Sequence, residues 1–327
     1  MRLLIGYDGS ESAAAALADL RRAGLPRDAE ALILSVADVR TPALSSYELV
    51  EQALVSGRVT SGILLAQTHT SQALKEASEF ASEARARVQS SFSEWEVRTE
   101  TPVGDPAQEL IEKANEWKPD LVVVGSHGRS AVGRLLVGSV SKKLATGLKS
   151  SLRVVRGAPN LGDDHVPPRI IVGVDGSTGA ERAVRAVGNR VWPTGTEVRL
   201  IAVDDGTSPK SFSGVLTTAA ELIKGFNEET AFAARTMVEW AENELNAIGL
   251  RTSVVFGKGE AQRVLLDEAR NWEADSIFVG SRKFTNAFER FRLGSVSTAL
   301  VTSAPCSVEV AADVEPIKGK KENRNGP

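Results

Sequence analysis

Several short apolar runs in the chain lack a polar residue at every second position. Leu3–Tyr7, Ala31–Val36, Leu121–Gly125 and Leu152–Arg156 carry apolar side chains on both faces, as expected of parallel strands covered on two sides. Trp95–Thr101 completes a set of five. Between them lie helical patterns: an alanine-rich stretch from Ser12 to Leu20, and a longer one from about Ser71 to Ser90. In the longer one Ala73, Ala77, Phe80, Ala81, Ala84 and Val88 form one apolar stripe. Gly104-Asp105-Pro106 reads as a helix entry, with Asp105 as cap and Pro106 in the first turn. Strand–helix alternation of this kind predicts an α/β fold with a doubly wound parallel sheet.

The pattern then repeats. Ile170-Ile171-Val172-Gly173-Val174-Asp175-Gly176-Ser177 answers Leu3-Leu4-Ile5-Gly6-Tyr7-Asp8-Gly9-Ser10 at a separation of 167 residues, and Val203 answers Val36 at the same separation. Further on, Gly104, Leu110, Trp117 and Asp120 match Gly259, Leu265, Trp272 and Asp275 at a separation of 155. The first copy therefore carries about twelve extra residues, placed near Ser45 to Ser61. A helix from about Glu228 to Ile248 is expected in the second copy, with Phe232, Met237 and Leu245 as core candidates. The chain divides into a first domain at 1–157, a Pro/Gly/Asp-rich linker at 158–168, a second domain at 169–312 and a polar tail at 313–327 expected to be disordered.

Composition changes this picture little. The 327 residues are 42% hydrophobic and 25% charged, with a net charge of −3 that argues against nucleic acid as the main partner. The opening Met-Arg-Leu-Leu-Ile-Gly-Tyr-Asp turns polar too early for a signal peptide, and no apolar run is long enough to span a membrane. With one cysteine, Cys306, no intrachain disulfide can form, and a cytoplasmic location is expected. Cys306 opens an apolar alternation and reads as a strand residue rather than a nucleophile. His69, His127 and His165 lie far apart, and no metal site is expected.

The candidate chemistry lies where a strand runs into a glycine loop and out into a helix. Gly125-Ser126-His127-Gly128-Arg129 leads, with nine residues between Gly128 and Gly138, to Gly138-Ser139 and a helical start with Val140, Ser141 and Leu144. The first N–H groups of a helix lack internal partners and carry the positive end of its dipole, so such a junction can hold phosphate. The three glycines give clearance, Ser139 a cap and a hydroxyl, and Arg129 or Arg134 positive charge. Asp8, Val36 and Gly125 all end strands, which brings three loops to one crevice at the carboxyl edge of the sheet. Asp8 and Asp175 also read simply as turn chemistry before a helix. Trp117 and Trp272 read as packing residues.

The repeat, the strand-Asp-Gly-Ser openings and the Gly-x2-Gly-x9-Gly-Ser loop closely resemble a tandem universal stress protein. The resemblance implies a Rossmann-like, adenine nucleotide alpha hydrolase-like sheet of five strands in the order 3-2-1-4-5 in each copy. One branch of the family binds ATP through this loop. By that likeness Asp8 would hold the nucleoside end and the Val36 backbone the adenine edge, with Gly6 and Tyr7 beside them. Gly125, Gly128, Gly138, Ser139, Val140 and Ser141 would surround ribose and phosphates, with Ser126, His127 and Arg129 lining the loop. ATP, alone or with Mg2+, is the implied ligand, and no catalytic residue is assigned. The last edge strands of the two copies are expected to pair as an intrachain pseudo-dimer, and a homodimer and unidentified protein partners remain open.

The second copy departs from the pattern. Gly280-Ser281-Arg282-Lys283 puts lysine where the second glycine belongs, and ten residues rather than nine precede Gly294-Ser295. A Cβ at a left-handed position costs on the order of 1 kcal/mol. Asp175, Val203, Gly280, Gly294 and Ser295 are thus the weaker set. Three functions stay open: a nucleotide-binding regulator, a slow ATPase or self-phosphorylating enzyme, and a nucleotide-independent interaction module.

Overall fold

The computed structural model describes residues 1–38, 59–128, 138–156, 166–204, 217–281 and 294–312, with backbone only for 59–68 and 217–231. Arg129, Arg134 and Lys283, the tail at 313–327 and most of the linker and of the first-copy insertion lie outside the described residues. In the first copy the elements run β1 Arg2–Gly6, α1 Glu11–Asp19, β2 Glu30–Leu34, α2 Val59–Ser91, β3 Glu96–Glu100, α3 Pro106–Trp117, β4 Leu121–Gly125, α4 Ser139–Gly147 and β5 Ser151–Val155. In the second they run β6 Arg169–Val174, α5 Thr178–Gly188, β7 Glu197–Asp204, α6 Thr217–Ala247, β8 Arg251–Lys258, α7 Ala261–Asn271, β9 Ser276–Gly280, α8 Ser295–Ser303 and β10 Ser307–Ala311.

All ten strands join one sheet in the order β3-β2-β1-β4-β5-β10-β9-β6-β7-β8. Within each half every pairing is parallel and the order is 3-2-1-4-5, as expected. At the centre β5 and β10 pair antiparallel, Arg153 opposite Glu309 and Val154 opposite Val308. The edges that each copy would otherwise expose are thereby used up, which is the physical reason for the pairing.

The unalternating strands are explained by cover on both faces. Leu4, Val122, Val154, Ile171, Ile277 and Val308 belong to one core that runs under both copies, closed by Leu110 of α3, Leu144 of α4, Leu265 of α7 and Leu300 of α8. On the opposite face the core is split. Leu3, Ile5 and Val123 pack with Ala16 of α1 and Val88 of α2, while Ile170, Val172 and Phe278 pack with Val184 of α5 and Leu245 of α6. Among the described residues no helix is long and apolar enough to cross a membrane.

Helix starts follow the capping chemistry in the sequence. The Ser10 and Ser177 hydroxyls accept from the N–H groups of Ala13 and Ala180, and Asp105 accepts from Ala107 and Gln108 with Pro106 in the first turn. Two expectations are corrected. Ser139 is the first residue of α4, and Gly138 occupies the cap position, so the helix starts with no side-chain cap. Phe232 is 71% exposed, not core, whereas Leu245 is buried and Met237 packs against the core. Among the described side chains of α6, Ala234, Met237, Val238, Ala241 and Leu245 pack on the sheet and Phe232 lies outside that face. Trp117 and Trp272 pack beside the shared core, under the Arg2 and Arg199 guanidiniums respectively.

Candidate functional site

At the carboxyl ends of β1, β2 and β4 a cavity of about 360 Å³ opens into the first copy. That lies within the range usual for small-molecule sites. Asp8, Val36, Gly125, His127, Gly128 and the start of α4 all reach it.

Its positive end is built from backbone. The Gly138 N–H donates to Ser126 O at 2.7 Å, folding the loop back on β4, and the uncapped first turn of α4, Ser139 to Ser141, faces the cavity. Serine hydroxyls hold the loop in place. Ser141 Oγ donates to Gly125 O at 2.8 Å. Ser12 Oγ donates to His127 O at 2.5 Å and accepts from His127 N–H at 3.2 Å. Ser141 is therefore a loop tie as well as a cavity residue. Ser126 is buried, its hydroxyl 2.8 Å from His127 Nδ1, and it does not line the cavity.

The same cavity also carries acidic and apolar groups. Asp8 Oδ1 accepts from the Ser10 N–H at 3.0 Å, so the turn role expected of this residue is real. Its Oδ2 points at the glycine loop: a Cβ on Gly128 would sit 2.8 Å away. Asp38 and Glu76 bring two further carboxylates to the lining, with Leu34, Val36, Leu110 and Val124 between them. Gly6 forms part of the floor, where a Cβ would meet Leu110 and Val124 at 3.1 Å. Tyr7 reaches the lining, but its ring packs in the core beneath α2, and burial raises its hydroxyl pKa, with Arg87 opposing and Glu83 reinforcing.

Sequence reasoning missed Asp38, Glu76 and Phe80. The signal for the last two was present, because Ala73, Glu76, Ala77 and Phe80 are spaced to share one helix face.

In the second copy the corresponding parts come together differently. Asp175 is exposed and accepts from both the N–H and the hydroxyl of Ser177, at 3.0 and 2.5 Å. Gly179 stands where the first copy has Ser12, and it packs so tightly that a Cβ on Gly280 would fall 2.0 Å from its carbonyl carbon. Ser297 Oγ repeats the tie to Gly280 O at 3.1 Å, and Gly294 caps the start of α8 with Ser295 first in the helix. The carbonyl of Ser281, at the position of Ser126, accepts from Arg182 at 2.8 Å. Val203 packs against the shared core.

Two halves with one strand order and the same strand–loop–helix junction match the universal stress protein family over residues 1–156 and again over 168–311. The chain belongs to that family. A universal stress protein of Methanocaldococcus jannaschii is 29% identical over 161 residues, 47% of this chain and 81% of the relative. One from Mycobacterium bovis is 26% identical over 319 residues, 94% of this chain and 94% of the relative. A crystal structure of a universal stress protein from Archaeoglobus fulgidus shares the fold with a TM-score of 0.59 at 21% identity, covering 95% of this chain and 98% of that one.

Proposed function

We propose that this universal stress protein is a regulator that binds an adenine nucleotide in its first copy, with ATP, alone or with Mg2+, as the ligand and protein partners reading the occupied state. The observation that carries this reading is the set of groups lining one cavity. An uncapped helix N-terminus and a glycine loop line it together with Asp8 and with Val36, two residues past β2. Phosphates are favoured at the helix end by unpartnered N–H groups and the dipole. A carboxylate repels phosphate and accepts from hydroxyl or amino groups, which suits Asp8 to ribose or base. The close approach of Asp8 to Gly128 supports the fit, since any side chain at 128 would close the space between carboxylate and loop. Gly125, Gly128, Gly138, Ser139 and Val140 would surround the phosphates and ribose, with His127 at the loop.

Isothermal titration of nucleotide-stripped protein with Mg-ATP tests the reading, repeated on Gly138→Val with circular dichroism as the folding control. A Cβ at 138 already lies 3.2 Å from His127 Cα, so the valine should displace the loop. One site per chain, lost in the variant, is expected. Two sites would overturn the assignment to the first copy. No heat, with no thermal stabilisation at millimolar ATP, would discard the nucleotide and leave the paired copies as an interaction module.

A further inference from the structure

The nucleotide reading uses the glycine loop and the ends of three strands, and leaves the wall made by α2 unassigned. Ala73, Glu76, Ala77 and Phe80 present one helix face to the cavity. Phe80 lies directly on the Asp8–Ser10 turn: Gly9, at φ +74°, is placed so that a Cβ would fall 2.4 Å from the ring. Only glycine admits both the left-handed backbone and the ring above it. Gln72 Nε2 donates to Glu76 Oε1 at 3.1 Å and so orients the carboxylate.

The second copy provides the contrast. Its equivalent turn glycine, Gly176 at φ +77°, is met by the main chain of Ala233 and Ala234 and by the Ala233 Cβ, each 3.0 Å from where its Cβ would be. The inward positions Ala77, Ala81, Ala84 and Val88 of α2 match Ala234, Val238, Ala241 and Leu245 of α6 at a uniform separation of 157 residues. On that alignment Ala233 replaces Glu76 and Met237 replaces Phe80. Helix α6 meets its turn with backbone and the Ala233 methyl, whereas the three atoms nearest a Cβ on Gly9 all belong to the Phe80 ring.

We infer that α2 is the selectivity wall of the first-copy site: Phe80 is a spacer that keeps the nucleoside end open, and Glu76 accepts a hydrogen bond from an N–H or O–H of the ligand's uncharged end. The inference rests on the nucleotide reading. Asp8, Asp38 and Glu76 bring three carboxylates to the lining, so an anion without a nucleoside meets like charge there. The wall thus selects nucleoside phosphates over bare polyphosphate.

Titration of ATP and of tripolyphosphate into wild type, Glu76→Ala, Glu76→Gln, Phe80→Ala and Phe80→Leu tests it, with thermal melts confirming that each variant folds. Glu76→Ala should weaken ATP about tenfold or more, as loss of a hydrogen bond to a charged group does, and leave tripolyphosphate unchanged or tighter. Glu76→Gln keeps a neutral acceptor and should weaken ATP clearly less than Glu76→Ala does. Phe80→Leu should retain ATP and Phe80→Ala should lose it. ATP binding unchanged in Glu76→Ala, an equal proportional loss for both ligands, or a Gln variant as weak as the Ala variant would overturn the inference while leaving the nucleotide reading intact. A wild type that binds no ATP removes both.

Discussion

Arg153 and Glu309 face each other across the pseudo-twofold axis, Nη1 3.3 Å from Oε2, each side chain only 1% exposed. They are equivalent positions. Gly125 ends β4 beside Val155 and Gly280 ends β9 beside Ala311, so counting back two residues along β5 and β10 gives 153 and 309. The two copies therefore carry opposite charges at one place in the fold. Each charge is also paired in its own half: Asp19 of α1 accepts from Arg153 Nε at 2.6 Å, and Arg190, beyond α5, reaches Glu309. Phe278 lies against both guanidiniums. Burial works against the charge of Arg153, but Asp19 and Glu309 outweigh it and raise its pKa. Pairing two β5 strands from separate chains would set arginine on arginine, so the quartet favours one half for the other.

Arg153→Met should be strongly destabilising, because it leaves Asp19 short of its main cation and Glu309 with one of two. Breaking a buried pair typically costs about 3–5 kcal/mol. Urea denaturation followed by circular dichroism measures the loss. Replacing all four charges with apolar residues of similar volume should recover most of it, since desolvation then no longer opposes folding. Equal stability of Arg153→Met and wild type would show that the quartet is energetically idle.

Cys306 is the only cysteine and is buried at the start of β10, where burial pushes its thiol up to about 12. Iodoacetamide at mildly alkaline pH should leave the native protein unlabelled and modify one thiol after unfolding. The pKa is raised in the folded state, so the stability it contributes is full below the unfolded value of about 8.5 and is lost as pH rises toward the folded value. Between about pH 9 and about pH 11 the wild type should lose thermal stability faster than Cys306→Ala. Parallel curves would contradict the buried thiol.

Asp105 joins two elements beside the cavity, capping α3 and accepting from Lys143 Nζ of α4 at 2.9 Å. Lys143 is the main cause of its lowered pKa, with the Gln108 and Ala107 N–H groups adding to it against burial. Asp105→Ala should cost about 1 kcal/mol, the usual value of a helix cap. Asp105→Asn keeps an acceptor for the N–H groups and should cost less. The contribution of the carboxylate is present above the unfolded pKa of about 3.9 and disappears as pH falls through the lowered folded value. An Asn variant as unstable as the Ala variant would place the effect on the lysine instead.

The fold was legible because it rests on patterns short in sequence. Unalternating strands, the 167-residue echo of Asp8 in Asp175, and the Ser10 and Asp105 caps all act within a few residues of where they are read. The glycine-loop side of the cavity was legible for the same reason. On α2 the shared helix face was legible but its place at the cavity was not, since Ala73, Ala77 and Phe80 belong to the same apolar stripe as Ala81, Ala84 and Val88, and periodicity alone does not separate cavity from core. The charge quartet was hidden by distance: Arg153 is 134 residues from Asp19, which α1 packs onto β5, and 156 from Glu309, which the β5–β10 register sets opposite it.

The contact between Gly9 and Phe80 gives a test of the spacer that needs no ligand. Gly9→Ala puts a Cβ at φ +74° and 2.4 Å from the ring, so two costs add: backbone strain of about 1 kcal/mol or more, and displacement of Phe80 with the helix above it. Phe80→Ala removes the second cost but not the first. The double variant should therefore lose less stability than the sum of the singles, with a coupling of about 0.5–3 kcal/mol, the range for residues in contact. At Gly176, where the obstacle at 3.0 Å is main chain of Ala233 and Ala234 as well as the Ala233 side chain, trimming Met237 to Ala should rescue nothing. Coupling at Gly9 without coupling at Gly176 is the signature of a ring acting as a strut. Additive losses at both turns would mean that α2 is held off by its own backbone course, and Phe80 merely fills the gap.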